Sequence, residues 1–159
     1  MVGLESSARN ARKLVGAAGR GFGVTTLPSL LGQMMAVLQS RPLCQQSQII
    51  ETKEFSPSRY FFKIRTLLAT PGYNFQVRIY YNQGHVDYAY QLFTDTPLLR
   101  WDNKEEFSYL ETYPHHHHNE QGHIEPSPLT GDLLQDIEIV LRAIRIFLSD
   151  PVKANSDVS

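Results

Sequence analysis

A run of four histidines, His115 to His118, lies in the middle of the chain directly after Pro114. Histidine has an unperturbed pKa near ~6.5, so it can donate or accept a proton at neutral pH, and it is also the commonest metal ligand. A purification tag normally sits at a terminus, whereas an amphipathic helical pattern follows this run. We therefore treat the run as a native element and as a candidate site.

The first interpretation of the run is acid–base chemistry on RNA. Two histidines would flank the scissile bond, one accepting the proton of the attacking 2′-hydroxyl and the other protonating the leaving group. The stretch "LLRWDN" ends a predicted strand, so Arg100 and Asp102 share one face and Trp101 takes the other, where it is expected to join the core. Arg100 could clamp phosphate and Asp102 could orient a histidine, or the two could simply form an ion pair. The candidate catalytic residues are His115, His116, His118, Arg100 and Asp102.

Two other interpretations of the run remain open. After Pro114 the run is expected to be extended, so alternate histidines share a face and, with His123 or Asp102, could bind zinc. The chain has no CxxC pair and no HExxH helix, so we predict neither a metal nor a cofactor. The third interpretation is that these histidines are solvated loop residues.

Hydrophobic periodicity defines the elements that must position these residues. "PSLLGQMMAVLQSRP" predicts a short helix with Ser29 as N-cap, ended by Pro42. Residues 48–102 alternate with period two in five runs separated by short turns such as "TPGYN" and "NQGH". Such short connections predict an antiparallel meander, because parallel crossovers need a dozen or more residues.

The remaining chain contains a long polar segment and a final helix. Residues 103–129 are punctuated by prolines and leave room for one short strand at 123–125. A second amphipathic pattern predicts a helix capped by Thr130 and ending near Leu148. The predicted fold class is α+β, an antiparallel meander of five or six strands packed against the C-terminal helix, with a short N-terminal helix.

Side-chain alternation in "RYFFKIR" and "FQVRIYY" predicts one apolar face and one basic face with interleaved aromatics. A sheet face of that composition can stack bases and hold phosphates, although most such faces are only solvated. The candidate nucleic-acid-binding residues are Arg59, Lys63, Arg65 and Arg78.

Composition places the protein in a broad class. At 159 residues with 42% hydrophobic and 19% charged residues, the chain fits one globular domain, which we place at residues 28–149 between tails at 1–27 and 150–159. The first tail is expected to lack fixed structure, with an Arg-rich transit peptide as the alternative. The net charge of −1 gives no global attraction to nucleic acid, and the lone Cys44 cannot form an internal disulfide. The lack of a disulfide makes the cytoplasm the expected compartment. No apolar run approaches the ~20 residues of a membrane helix, so we expect no membrane contact.

The order of several motifs resembles the TumE-like family of small bacterial and archaeal toxins. "YAYQ" at 88–91, "RWDN" at 100–103, "YPHHHH", "IEPS" and the closing helix follow one another as in that family, over about residues 28–148. His117 stands where the family commonly has lysine, and "KEEFSYLE" after Asn103 departs from relatives that continue with proline and a histidine pair. The resemblance implies the toxin of a toxin–antitoxin pair, whose antitoxin is often a helix-turn-helix protein.

The combined prediction is a toxin that acts on RNA by metal-independent histidine chemistry. The RNA-cleavage part comes from the residues and not from the resemblance, so whether the chain is an enzyme stays open. The alternatives are a non-catalytic protein-binding or nucleic-acid-binding module and a zinc-dependent enzyme.

Overall fold

The computed structural model describes residues 25–150. The parts of the predicted tails at 1–24 and 151–159 lie outside the described residues. The elements in chain order are α1 (Leu27–Gln39), β1 (Cys44–Ser56), β2 (Arg59–Leu68), β3 (Asn74–Asn82), β4 (His85–Phe93), β5 (Pro97–Asp102), β6 (His116–His118), β7 (Ile124–Pro126) and α2 (Leu133–Ser149).

The seven strands form one sheet in sequence order, and every neighbouring pair is antiparallel. The predicted α+β class and meander are confirmed. The predicted turn at "NQGH" contains Gln83 and Gly84 with φ of 51° and 89°, which is the left-handed backbone that two-residue hairpins favour.

The strand count differs from the prediction because the histidine run is itself a strand. The sequence predicted only one short strand in the polar segment, near residues 123–125, and β7 lies there. The strand β6 in the same segment was not predicted. A three-residue strand is too short to show an alternating pattern, so its pairing with β5 has no signal in hydrophobic periodicity.

The core lies on the apolar face that alternation predicted. Tyr60, Phe62 and Ile64 of β2 are fully buried, as are Phe75 and Val77 of β3. Both helices contribute their apolar stripes to the same core cluster, through Leu30, Met34 and Leu38 of α1 and Leu133, Ile137, Val140 and Ile144 of α2. Neither helix within residues 25–150 is long and apolar enough to cross a membrane.

The predicted N-caps of both helices are wrong. Thr26 caps α1, since its side chain accepts a hydrogen bond from the Ser29 N–H. Pro28 explains the earlier start, because proline is favoured in the first turn, where its missing N–H costs nothing. Asp132 caps α2 in place of Thr130, whose N–H and hydroxyl donate instead to the buried Asp136 carboxylate.

Residues just before α1 belong to the fold. The Tyr60 hydroxyl donates to the Thr25 carbonyl, and the Thr25 N–H donates to the Tyr81 hydroxyl. Thr25 is buried and Leu27 joins the core cluster. Thr25 and Leu27 therefore contribute to the fold, although both precede residue 28, where the predicted domain begins.

Candidate functional site

The site is built by the pairing of β5 with β6. In this register Arg100 lies opposite His118, Trp101 opposite His117 and Asp102 opposite His116. Because side chains alternate across a strand, Arg100, Asp102 and their two partners share the face opposite the core. The paired strands β5 and β6 thus present a guanidinium, a carboxylate and two imidazoles together.

Asp102 is the centre of this group and is 5% exposed. Its carboxylate accepts hydrogen bonds from Arg100 Nε at 2.9 Å and from the Lys104 N–H at 3.0 Å. His116 Nε2 lies 2.9 Å from Oδ1, and His118 Nε2 lies 3.5 Å from Oδ2. A buried carboxylate is stable only with such partners, so Asp102 holds both histidines and the arginine in place.

His116 is the inner histidine and is only 1% exposed. Its Nδ1 lies 3.1 Å from the Pro114 carbonyl, and its ring packs edge-on against Phe107 at a centroid distance of 4.7 Å. Both ring nitrogens therefore face oxygen atoms, which fixes the orientation of the ring. His116 is fixed and shielded, so it is placed to support its neighbours and not to touch a substrate.

His118 is the outer histidine, with 31% of its side chain exposed. Burial lowers its pKa below the ordinary value, while the charge of Asp102 opposes that shift. The ring is therefore mainly neutral at pH 7, and a neutral imidazole can accept a proton. His118 combines access, a proton-accepting state and a fixed carboxylate neighbour.

The other two histidines of the run face the core side. His115 Nδ1 lies 2.7 Å from the Tyr88 hydroxyl, and the two rings stack. His117 stacks on Trp101 at a centroid distance of 4.6 Å, and its Nδ1 lies 3.2 Å from the Arg100 carbonyl. Burial lowers the pKa of both rings. Of the predicted catalytic set, the structure brings Arg100 and Asp102 together with two histidines and leaves His115 apart.

One group of side chains could also hold a metal ion. One ligand atom from each of Asp102, His116 and His118 lies within 4.8 Å of the other two. Two imidazoles and a carboxylate form a donor set that suits zinc, and the Pro114 carbonyl could fix the His116 tautomer with Nε2 as ligand. Arg100 already occupies Oδ2, however, and its positive charge disfavours a cation there.

The open face of the sheet carries the predicted nucleic-acid-binding residues. Lys63 and Arg78 are directly opposite each other in the β2–β3 pairing. Three guanidinium groups lie over aromatic rings: Arg59 over Phe55 at 4.8 Å, Arg65 over Phe93 at 5.6 Å and Arg78 over Phe61 at 5.5 Å. These contacts hold the cations on the same face as Arg100 and His118.

A family model described as Toxin TumE matches residues 34–148. The chain belongs to this toxin family. The resemblance inferred from the motifs is thereby confirmed, and the match spans the whole site, the C-terminal half of α1 and all but the last residue of α2. Comparisons with curated proteins and with solved structures found no match.

Several residues of this TumE-family site had no role in the sequence predictions. Asn103 accepts from the Tyr88 N–H and donates to the Val86 carbonyl, which ties the end of β5 to β4. Its place in "RWDN" was a signal, since an asparagine at a strand end commonly bonds backbone. Phe107 and Ala89, which flank the histidines and Asp102, carried no signal because their importance depends on the tertiary arrangement alone.

Proposed function

We propose that this toxin cleaves RNA by metal-independent acid–base chemistry in which His118 accepts the proton of the 2′-hydroxyl. One observation carries the proposal: an accessible, mainly neutral histidine is held by a buried Asp102–His116 pair beside the guanidinium of Arg100. The family shows a toxin, and this site supplies a chemistry by which a toxin of this kind can act.

The reaction requires three events at the phosphate. The 2′-hydroxyl loses its proton to His118 Nε2 or Nδ1, its oxygen forms a bond to phosphorus, and the bond from phosphorus to the 5′ oxygen breaks. The departing oxygen takes a proton from solvent, because His116 is too buried to supply it. Arg100 neutralises the developing charge on the phosphate oxygens. The products are a 2′,3′-cyclic phosphate end and a 5′-hydroxyl end.

The basic face supports RNA as the substrate. Arg78 and Lys63 have no carboxylate within ion-pair distance among the residues that the structure describes. Their charge is therefore available for backbone phosphates, although the whole chain carries a net charge of only −1. Binding is then expected to weaken as salt concentration rises.

A cleavage assay with matched histidine variants tests the mechanism. Purified protein is incubated with single-stranded RNA in excess chelator, and the ends of the products are analysed. The wild type should leave 2′,3′-cyclic phosphates and spare DNA, and His118→Gln should lose about 10²- to 10⁴-fold in rate. His123→Gln is the control, since His123 is exposed and lies outside the Asp102 group, which consists of Asp102, His116 and His118. Equal rates in both variants would refute a role for His118.

The zinc interpretation is the second candidate, favoured by the convergence of Asp102, His116 and His118. In that case the metal would supply an activated water, and these three residues would hold it. Chelator-sensitive cleavage, restored by added zinc, would replace the metal-independent mechanism.

We further propose that an antitoxin, expected to be a helix-turn-helix protein, neutralises this chain. Inducing the chain alone should slow growth, and co-expressing the product of the adjacent gene should restore it. Normal growth at verified soluble expression would count against both toxicity and the pairing.

A further inference from the structure

A pocket of about 530 Å³ opens on the basic face directly beside Asp102 and Arg100. This volume falls within the ~300–1,000 Å³ typical of small-molecule sites. The pocket exists because Ala89 stands between Arg78 of β3 and Asp102 of β5 in the same cross-strand row. A methyl group leaves empty space where a larger side chain would fill the row.

The walls of the pocket are aromatic and cationic. Tyr80 lies opposite Phe61 in the next row, and its hydroxyl accepts a 2.8 Å hydrogen bond from Arg59 Nε, which restrains the ring. The guanidinium of Arg78 lies over Phe61 on the same side. Aromatic rings and guanidinium planes are the surfaces on which unpaired bases stack.

The charges of the pocket favour a base over a bare phosphate. The lining carries three cations, Arg78, Arg100 and Lys104, and three carboxylates, Asp87, Asp102 and Glu105. A phosphate inside the pocket would be repelled by these carboxylates, whereas base N–H and amino groups can donate to the carboxylates of Asp87 and Glu105. A phosphate fits better at the edge, beside Arg100 and His118.

We infer that this pocket takes one unpaired base of single-stranded RNA and thereby places the neighbouring phosphate at Arg100 and His118. The inference rests on the proposed ribonuclease function, since it names the part of the substrate that this site recognises. A base in a double helix cannot enter without leaving its stack, so the substrate class is single-stranded or looped RNA.

Binding to RNA that cannot be cleaved tests the pocket separately from the chemistry. The probe is a short fluorescein-labelled single-stranded RNA whose 2′-hydroxyls are methylated, and its affinity is measured by fluorescence anisotropy. Ala89→Leu fills the pocket and should weaken binding about 5- to 150-fold, the range expected for one stacked base. Ala69→Leu is the matched control, because Ala69 is exposed and does not line the pocket.

Thermal melting shows whether Ala89→Leu is still folded. If it is not, a second pair of variants at Tyr80 tests the pocket independently. Tyr80→Leu should weaken binding similarly, whereas Tyr80→Phe keeps the ring and should lose much less. If Ala89→Leu and Tyr80→Leu bind the RNA as tightly as the wild type, the pocket does not bind a base, but the cleavage mechanism can still hold. If the variants weaken binding but the wild type does not cleave unmodified RNA, the cleavage mechanism is refuted, whereas base binding by the pocket is supported.

Discussion

Asp102→Asn removes one charge from the centre of the site while keeping nearly the same shape. The carboxylate has three donors within 3.0 Å: Lys104 N–H and His116 on Oδ1, and Arg100 Nε on Oδ2. An amide has one acceptor oxygen and one NH₂ group. In either orientation its NH₂ must face at least one of these donors, so the substitution cannot satisfy the group.

The structure indicates which orientation of the new amide has the lower free energy. With the amide oxygen at the Oδ1 position, Lys104 and His116 keep an acceptor and only Arg100 loses one. The Arg100 side chain is 38% exposed and can turn toward water. Solvent therefore reduces the free-energy cost of losing its hydrogen bond to residue 102. We expect the free energy of unfolding to fall by about 1–3 kcal/mol, the cost of a lost charge-assisted bond at a buried acceptor.

The effect on activity should exceed the effect on stability. Without the carboxylate, Arg100 is released from its position and His118 loses the charge that orients it, so cleavage should fall about 10²-fold or more. Urea unfolding measures the stability and the RNA cleavage rate measures the activity, with Asp95→Asn in the exposed β4–β5 turn as control. Wild-type cleavage by a folded Asp102→Asn protein would refute the role given to the Asp102 group.

Four further changes have expected outcomes. Arg100→Lys should reduce toxicity, because a point charge cannot form the paired hydrogen bonds of a guanidinium to phosphate; a growth assay measures this. His117→Lys should keep wild-type toxicity, because a lysine stem can lie over Trp101 in place of the imidazole. A chain starting at residue 28 should melt at a lower temperature than one starting at residue 25, because it lacks the Thr25 hydrogen bonds to two core tyrosines. Acidification below pH ~6.5 should lower the melting temperature. Three half-buried histidines have a lower pKa in the folded than in the unfolded state, so the unfolded state binds more protons as the pH falls and is favoured. An unchanged melting temperature would contradict this. The histidines concerned are His115, His117 and His118.

The faces of the sheet were predictable because a period of two needs no tertiary information. Once "RYFFKIR" is a strand, Tyr60 and Phe62 must lie on the side opposite Phe61 and Lys63, and burial confirms this. The helix starts were less predictable, because several residues near each end could serve as N-cap. Thr130 lost that role to Asp132 because the buried Asp136 accepts hydrogen bonds from Thr130 instead.

Which histidines join the site depends on the register between β5 and β6, and this register could not be predicted from the sequence. Alternation alone divides the histidine run into His116 with His118 and His115 with His117, but it does not say which pair joins Asp102. A shift of one residue would exchange the two pairs and place the site histidines against the core. The observed register puts His117 on Trp101, so an apolar indole meets a ring whose pKa is lowered by burial, while the ring with two acceptors lies beside the carboxylate. The register is thus selected by the same contacts that build the site, so the pairing of β5 with β6 and the site form together.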